Sequence, residues 1–223
     1  MLEPAAFATL SSRMAGRIEV IHVREGGSFS KGDLLVVFDC AMPKAQLAKD
    51  QADLHIAEKK HAVNRRMAEL DSASQMELAL SEAMVQKSRA DVGMAQVLVR
   101  QCDLHAPFDG RVGKRHVQPF DGVAAGAPLL DIIALGPLGI SMYVPWAWSS
   151  WLRPDIPFEF RLKEGGPGYP ARVTAIGARV DPASQTLGVW GSIKGVFPEL
   201  LAGMSGMAFF PGPTSPEVDA HGR

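Results

Sequence analysis

The sequence predicts a mainly β chain that carries a long antiparallel α-helical hairpin and ends in a small antiparallel β-barrel. Three observations lead there. Two stretches headed by Gly-Arg repeat at an offset of about 94 residues. Between them the composition switches abruptly to that of helix. Beyond the second copy, short apolar runs recur between Gly and Pro, as in a small barrel or sandwich.

Residues 1–15 read as an N-terminal strand or lead-in to the first copy, 16–39, "GRIEVIHVREGGSFSKGDLLVVFD". Gly16-Arg17-Ile18 lies over Gly110-Arg111-Val112, Val23 over Val117, Gly32 over Gly126 and Leu35-Val36 over Leu129-Leu130. Such agreement at one offset marks an internal repeat. In each copy a strand follows Gly-Arg, then a turn (Gly26-Gly27; Asp121-Gly122), then a second strand. Alternation in "RIEVIHV" sets Ile18 and Val20 against Ile21 and Val23, which predicts a strand covered on both faces.

Residues 43–102 read as the hairpin. From 44 to 102 there is one Gly and no Pro, and Ala, Leu, Lys, Gln, Glu and Met dominate, the strong helix formers. Apolar residues recur every seventh position at Ile56, Val63 and Leu70, and again at Leu78, Val85, Val92 and Val99, which predicts one seam per helix. Ser81, Ser88, Ala95 and Cys102 follow the second series three places on, small enough for a close helix partner. Ser74 and Glu77 match a capping box, so one helix ends near Asp71 and the next begins after Ser74. Two helices of about 28 residues would project roughly 40 Å. Cys40 and Cys102 fall at the base of this hairpin, either as a disulfide closing a loop of about 60 residues or as two buried thiols.

The second copy occupies 103–133. The segment 134–211 then reads as barrel strands, "GISMYVP", "PFEFRL", "YPARVTAIGARV", "QTLGVWGSI" and "SGMAFF", with "WAWSSWL" as a helical turn whose tryptophans serve as a tertiary anchor, a partner contact or a ligand-stacking surface. The Pro-rich, charged end, 212–223, reads as a disordered tail.

The chain has 223 residues and a formal net charge of −1, with basic and acidic side chains interspersed, so nucleic acid is not an expected partner. The opening "MLEPAAFATLSSRMAGR" has neither the basic start nor the apolar run of a signal peptide or anchor. His55, Glu58 and His61 stand three apart, which spreads the two His around a helix rather than placing them on one face as zinc proteases do. There is no Gly-x-Ser-x-Gly elbow and no phosphate loop, and the ten Met are scattered. No enzyme activity, metal or cofactor is expected.

Taken together, the pattern resembles the periplasmic adaptor, or membrane fusion protein, family of tripartite efflux and secretion systems (HlyD-like and RND-type adaptors). In that family a biotinyl/lipoyl-like domain is split by a helical hairpin and followed by a β-barrel. Residues 16–39 are similar to the first lipoyl half. "LHAPFDGRVGKRHVQPFDGVAAGAPLL" (104–130), with its Ala106-Pro107-Phe108-Asp109-Gly110 run, is similar to the second. "ARVTAIGARVDPASQTLGV" (171–189) and "LLAGMSGMAFF" (200–210) resemble the RND-type barrel signature.

The resemblance implies a non-catalytic, periplasmic subunit associated with the inner membrane. It would link an inner-membrane transporter to a TolC-like outer-membrane channel, working as a homo-oligomeric ring, a hexamer. The family's docking motif at the hairpin tip maps onto Arg66, Leu70 and Ser74, with a shorter gap before Ser74 than in well-known drug-efflux adaptors. The family's usual N-terminal anchor and membrane-proximal domain have no counterpart here. The expectation is therefore a truncated form, a mis-assigned start, or a short adaptor located by its partner. The alternative is a cytoplasmic biotin- or lipoyl-type carrier modified at Lys44 within "FDCAMPKAQL". Pro43 breaks the carrier's Ala-Met-Lys sequence, and Met42-Pro43-Lys44 reads as a helix start.

Overall fold

The structure is a computed structural model that describes residues 1–70, 74–195 and 197–211. In chain order its elements are β1 (Leu2–Glu3), β2 (Phe7–Ser11), β3 (Gly16–Ile21), β4 (Ser28–Phe29), β5 (Leu34–Phe38), α1 (Ala41–Ala68), α2 (Gln75–Arg100), β6 (Asp103–His105), β7 (Gly110–Arg115), β8 (Gly122–Val123), β9 (Pro128–Ala134), β10 (Gly139–Pro145), a 3₁₀ turn at Trp146–Ser150, β11 (Pro157–Leu162), β12 (Gly168–Asp181), β13 (Thr186–Ile193) and β14 (Gly206–Phe209). They fall into two units, Ala8–Ile132 and Met1–Phe7 with the chain from Ile133 onward. The sequence expectation of one lead-in over 1–15 is refined accordingly, since β1 joins the second unit and nearly all of β2 the first.

In the first unit two four-stranded sheets, ordered β6-β5-β3-β8 and β2-β9-β7-β4, share one core. The repeat is visible bond by bond. Gly26 N–H donates to Val112 O and Phe120 N–H to Ile18 O; Gly32 donates to Ala106 O and Gly126 to Ser12 O; His22 donates to Leu35 O and His116 to Leu129 O. Each member of these pairs maps onto the other at the same offset. Strand pairing obeys it too: Gly16 faces Val123 in β3–β8, and Phe29 faces Gly110 in β4–β7. Each half thus completes the other's sheet, and Ile18, Leu35, Val36, Val112, Leu129 and Leu130 are fully or almost fully enclosed. The repeat also extends upstream of Gly16, because Leu10 lies over Leu104 and both pack on this core.

Strand β3 departs from expectation. Its pairing with β5 shifts register between Ile18 and Val20, a bulge that turns Ile21 toward the core and leaves Val20 39% exposed. An extra residue on one strand reverses which alternate side chains point inward, so the predicted two-sided burial of β3 is corrected to one covered face. In the other sheet, Asp131 of β9 accepts from Thr9 Oγ1 of β2 at 2.7 Å and lies 2.9 Å from His116 Nε2. The Thr9 hydrogen bond, then that of His116, holds its carboxyl below the usual range.

The hairpin emerges from this unit between β5 and β6. Asp39 Oδ1 accepts the Ala41 N–H at 3.1 Å. Pro43 is the third residue of α1, still among those whose N–H has no helical partner. At 28 and 26 residues, the helices run about 40 Å at 1.5 Å per residue. At their base Cys40 and Cys102 form a disulfide, with Cα atoms 5.9 Å apart and a sequence separation of 62.

On α2 the seam falls where the sevenfold recurrence places it, with Ser81, Val85, Ser88, Val92 and Ala95 buried. On α1 it does not. Ile56, Val63 and Leu70 are 64%, 57% and 70% exposed, while Asp50 and Ala57 are buried and Leu54, His61 and Asn64 half-buried. The α1 seam is partly polar because its polar groups find partners. His61 Nδ1 lies 2.9 Å from Ser81 Oγ across the hairpin, and Asp50 accepts from Gln46 at 2.8 Å. An apolar period alone therefore selects the wrong face of α1.

In the second unit six antiparallel strands run β1-β10-β13-β12-β11-β14. Leu2 exchanges backbone bonds with Gly203 and Met204, just ahead of β14, so the two edges approach closure. Ile140, Phe158, Phe160, Val173 and Val189 fill the inside. The Trp-rich turn acts as an anchor: Trp148 and Trp151 pack edge-on against Phe210, which stacks on Phe158 at 4.8 Å. The expected disordered tail, 212–223, lies outside the described residues.

Candidate functional site

The far end of the hairpin is built by the last turn of α1 and the first turn of α2. Arg65 and Arg66 close α1, where cations favour the negative end of the helix dipole. Arg65 is paired with Glu69 at 3.9 Å. The Arg66 side chain makes no ion pair or hydrogen bond among the described residues, and it is exposed. Leu70 lies two residues beyond the last helical residue, its N–H donating to Met67 O at 3.1 Å. The helix therefore stops at Ala68 rather than near Asp71, and residues 71–73 are outside the described residues.

Ser74 starts α2 through a complete capping box. Its Oγ accepts from Glu77 N–H at 3.1 Å, and its own N–H donates to Glu77 Oε2 at 3.0 Å. The hydroxyl also lies 3.2 Å from Glu77 Oε2, so its proton is engaged and a partner could use only its remaining acceptor capacity. The three tip residues thus differ in kind: Arg66 offers charge, Leu70 exposed apolar surface, and Ser74 mainly local order.

Lys44 is an exposed residue in the first turn of α1, not the apex of a β-turn from which a carrier lysine swings. Glu58 is bonded to Arg89 at 3.2 Å and His61 to Ser81. Among the described residues no group of three or more His, Cys, Asp or Glu is placed to hold a metal. No described helix is long and apolar enough to cross a membrane.

A second surface is not legible in the sequence, because its lining comes from separate strands. On the barrel unit a groove of about 1230 Å³ is walled by Met142, Tyr143, Trp190, Met207 and Phe209, with Arg179 at its margin. A register irregularity in β12 between Ile176 and Val180 borders it, the kind of bulge that redirects side chains toward a surface.

No family model matches the chain. The multidrug resistance protein MdtA of Proteus mirabilis (strain HI4320) is 30% identical over 153 residues, which cover 61% of this chain and 37% of that protein. The chain thus spans little more than a third of this relative's length. Among solved structures, a MacA–MexA chimeric protein containing the Pseudomonas aeruginosa MexA α-hairpin domain matches with a TM-score of 0.80 and 20% identity, over 91% of this chain and 73% of that one. The membrane fusion protein Spr0693 of Streptococcus pneumoniae R6 matches with a TM-score of 0.79 and 13% identity, over 94% and 96%.

Proposed function

We propose that this chain is a membrane fusion protein, a non-catalytic efflux adaptor bridging an inner-membrane transporter and a TolC-like outer-membrane channel. The observation that carries the proposal is the solvated hairpin, which ends in Arg66 and Leu70 and leaves Ile56 and Val63 facing outward. A lone hairpin gains nothing from that outward stripe. Copies standing side by side in a hexameric ring would cover it, forming a tube of helices above the lipoyl-like domains.

At the tip, Arg66 would donate to carbonyls or carboxylates of the channel, Leu70 would fill an apolar notch, and Ser74 would hold α2 in position with one further acceptor to offer. The barrel groove walled by Tyr143, Trp190 and Met207 is the face we assign to the transporter. A periplasmic site associated with the inner membrane is supported by the Cys40–Cys102 bridge, since disulfides persist in oxidising compartments. The carrier alternative loses its footing because Lys44 is on a helix.

Arg66→Asp reverses the charge at an exposed position, so the fold and thermal stability should be retained. Cells relying on this variant should lose export and become sensitive to the system's substrates. Unchanged resistance at normal expression would count against the tip as the channel contact.

A further inference from the structure

The two lipoyl-like halves break their own symmetry in opposite senses. Where the first half has Gly26 at φ 73°, the second has Phe120 at φ 75°. This left-handed conformation is natural to glycine and strained for a large side chain. The Phe120 ring is 70% exposed, and the Arg17 guanidinium lies over it, 5.9 Å from the ring centroid. The fold has no need of an aromatic there, because its repeat partner does the same backbone task with glycine.

The first half has the converse feature. A recess of about 360 Å³ is lined by His22, Val23, Ser28, Phe29, Asp33 and Leu34. In the second half the positions of His22 and Val37 are taken by His116 and Asp131, which bond to each other at 2.9 Å. Arg17 and Phe120 lie at the start of β3, with Arg17 facing Gly122. His22 follows the end of β3 and bonds to Leu35. Five residues of strand place knob and recess roughly 16 Å apart, at opposite ends of β3.

We propose that Phe120 with Arg17 is a knob that seats in the recess of a second copy, the ring entering between Phe29 and Leu34 and the guanidinium approaching Asp33. This rests on the ring reading above and specifies its contact. Knob and recess are different surfaces at opposite ends of one strand, so the contact is head-to-tail and can close a ring. Arg17, 4.0 Å from Asp39 of its own chain, and Asp33, whose carboxylate accepts only the Ser30 N–H among the described residues, carry complementary charges that favour a second copy as the occupant.

The test is sedimentation velocity on the full chain, read together with thermal unfolding. Phe120→Gly should weaken self-association by about 30-fold, as loss of an anchoring aromatic does. It should also raise Tm by about 2–4 °C through relief of backbone strain. Ser28→Trp, which fills the recess, should weaken association with the knob intact. Mixed one to one, the two variants retain one recess and one knob and should form a heterodimer that grows no further. Wild-type association unchanged by Phe120→Gly, or a mixture that stays monomeric while wild type assembles, would overturn the knob while leaving the ring reading standing. A wild-type chain that is monomeric at every concentration would overturn both.

Discussion

Ser74 caps α2, and the channel contact proposed for it can be separated from that role experimentally. Its hydroxyl and backbone N–H are both committed to Glu77, and replacing such a cap with Ala costs about 1 kcal/mol. Ser74→Ala should therefore lower the midpoint of hairpin unfolding, whereas Ser74→Asp, an equally good cap, should not. If Ser74 acts only through α2, export in cells should follow stability, impaired by Ala and spared by Asp. Loss of export with Asp at full stability would instead assign the hydroxyl a direct contact with the channel. The capping box is legible in the sequence because both partners lie within four residues and need no tertiary context. The strained Phe120 is not, since the 94-residue offset places it over Gly26 but only the backbone shows that both take the left-handed conformation.

At the scale of elements, α1 and α2 contrast. The α2 seam could be read directly, because Val85 and Val92 alternate with Ser81, Ser88 and Ala95 and every one of them is buried. The α1 seam was hidden by Asp50, His61 and Asn64, polar residues that tolerate the interface because Gln46, Ser81 and the Glu77 carbonyl receive them. The apolar stripe that stands out in the sequence of α1 is instead its outward face. Val85→Ala should destabilise the isolated protein by about 1–3 kcal/mol in chemical denaturation, from lost burial of a valine. Val63→Ala, at an exposed site, should change it by less than about 0.5 kcal/mol, yet should weaken self-association if hairpins stand side by side. Equal destabilisation by the two would mean that Val63 is a seam residue after all. The Cys40–Cys102 bridge ties the base of both helices, and a loop of this length is worth about 4 kcal/mol in the chain-entropy description.

For the whole molecule, the division into a repeated β-unit, a hairpin and a barrel follows from patterns that survive without tertiary knowledge: a fixed offset, a change in composition, and short punctuated strands. What escapes the sequence is how strands from distant segments combine. Leu2–Glu3 completes the barrel sheet beside β10, and Phe7–Ser11 joins β9, though a run so short carries little periodic signal. The barrel groove likewise draws Tyr143, Trp190 and Met207 from three strands. The central claim is that the hairpin tip meets an outer-membrane channel. The most direct measurement places a photo-crosslinking probe on Leu70→Cys in the native gene with its upstream region, and analyses the envelope fraction for adducts. A covalent product with a TolC-like channel, reduced when Arg66→Asp is introduced on the same chain, is the result predicted. A chain found only in the cytoplasm, or one that reaches the envelope and never crosslinks to such a channel, would contradict the account.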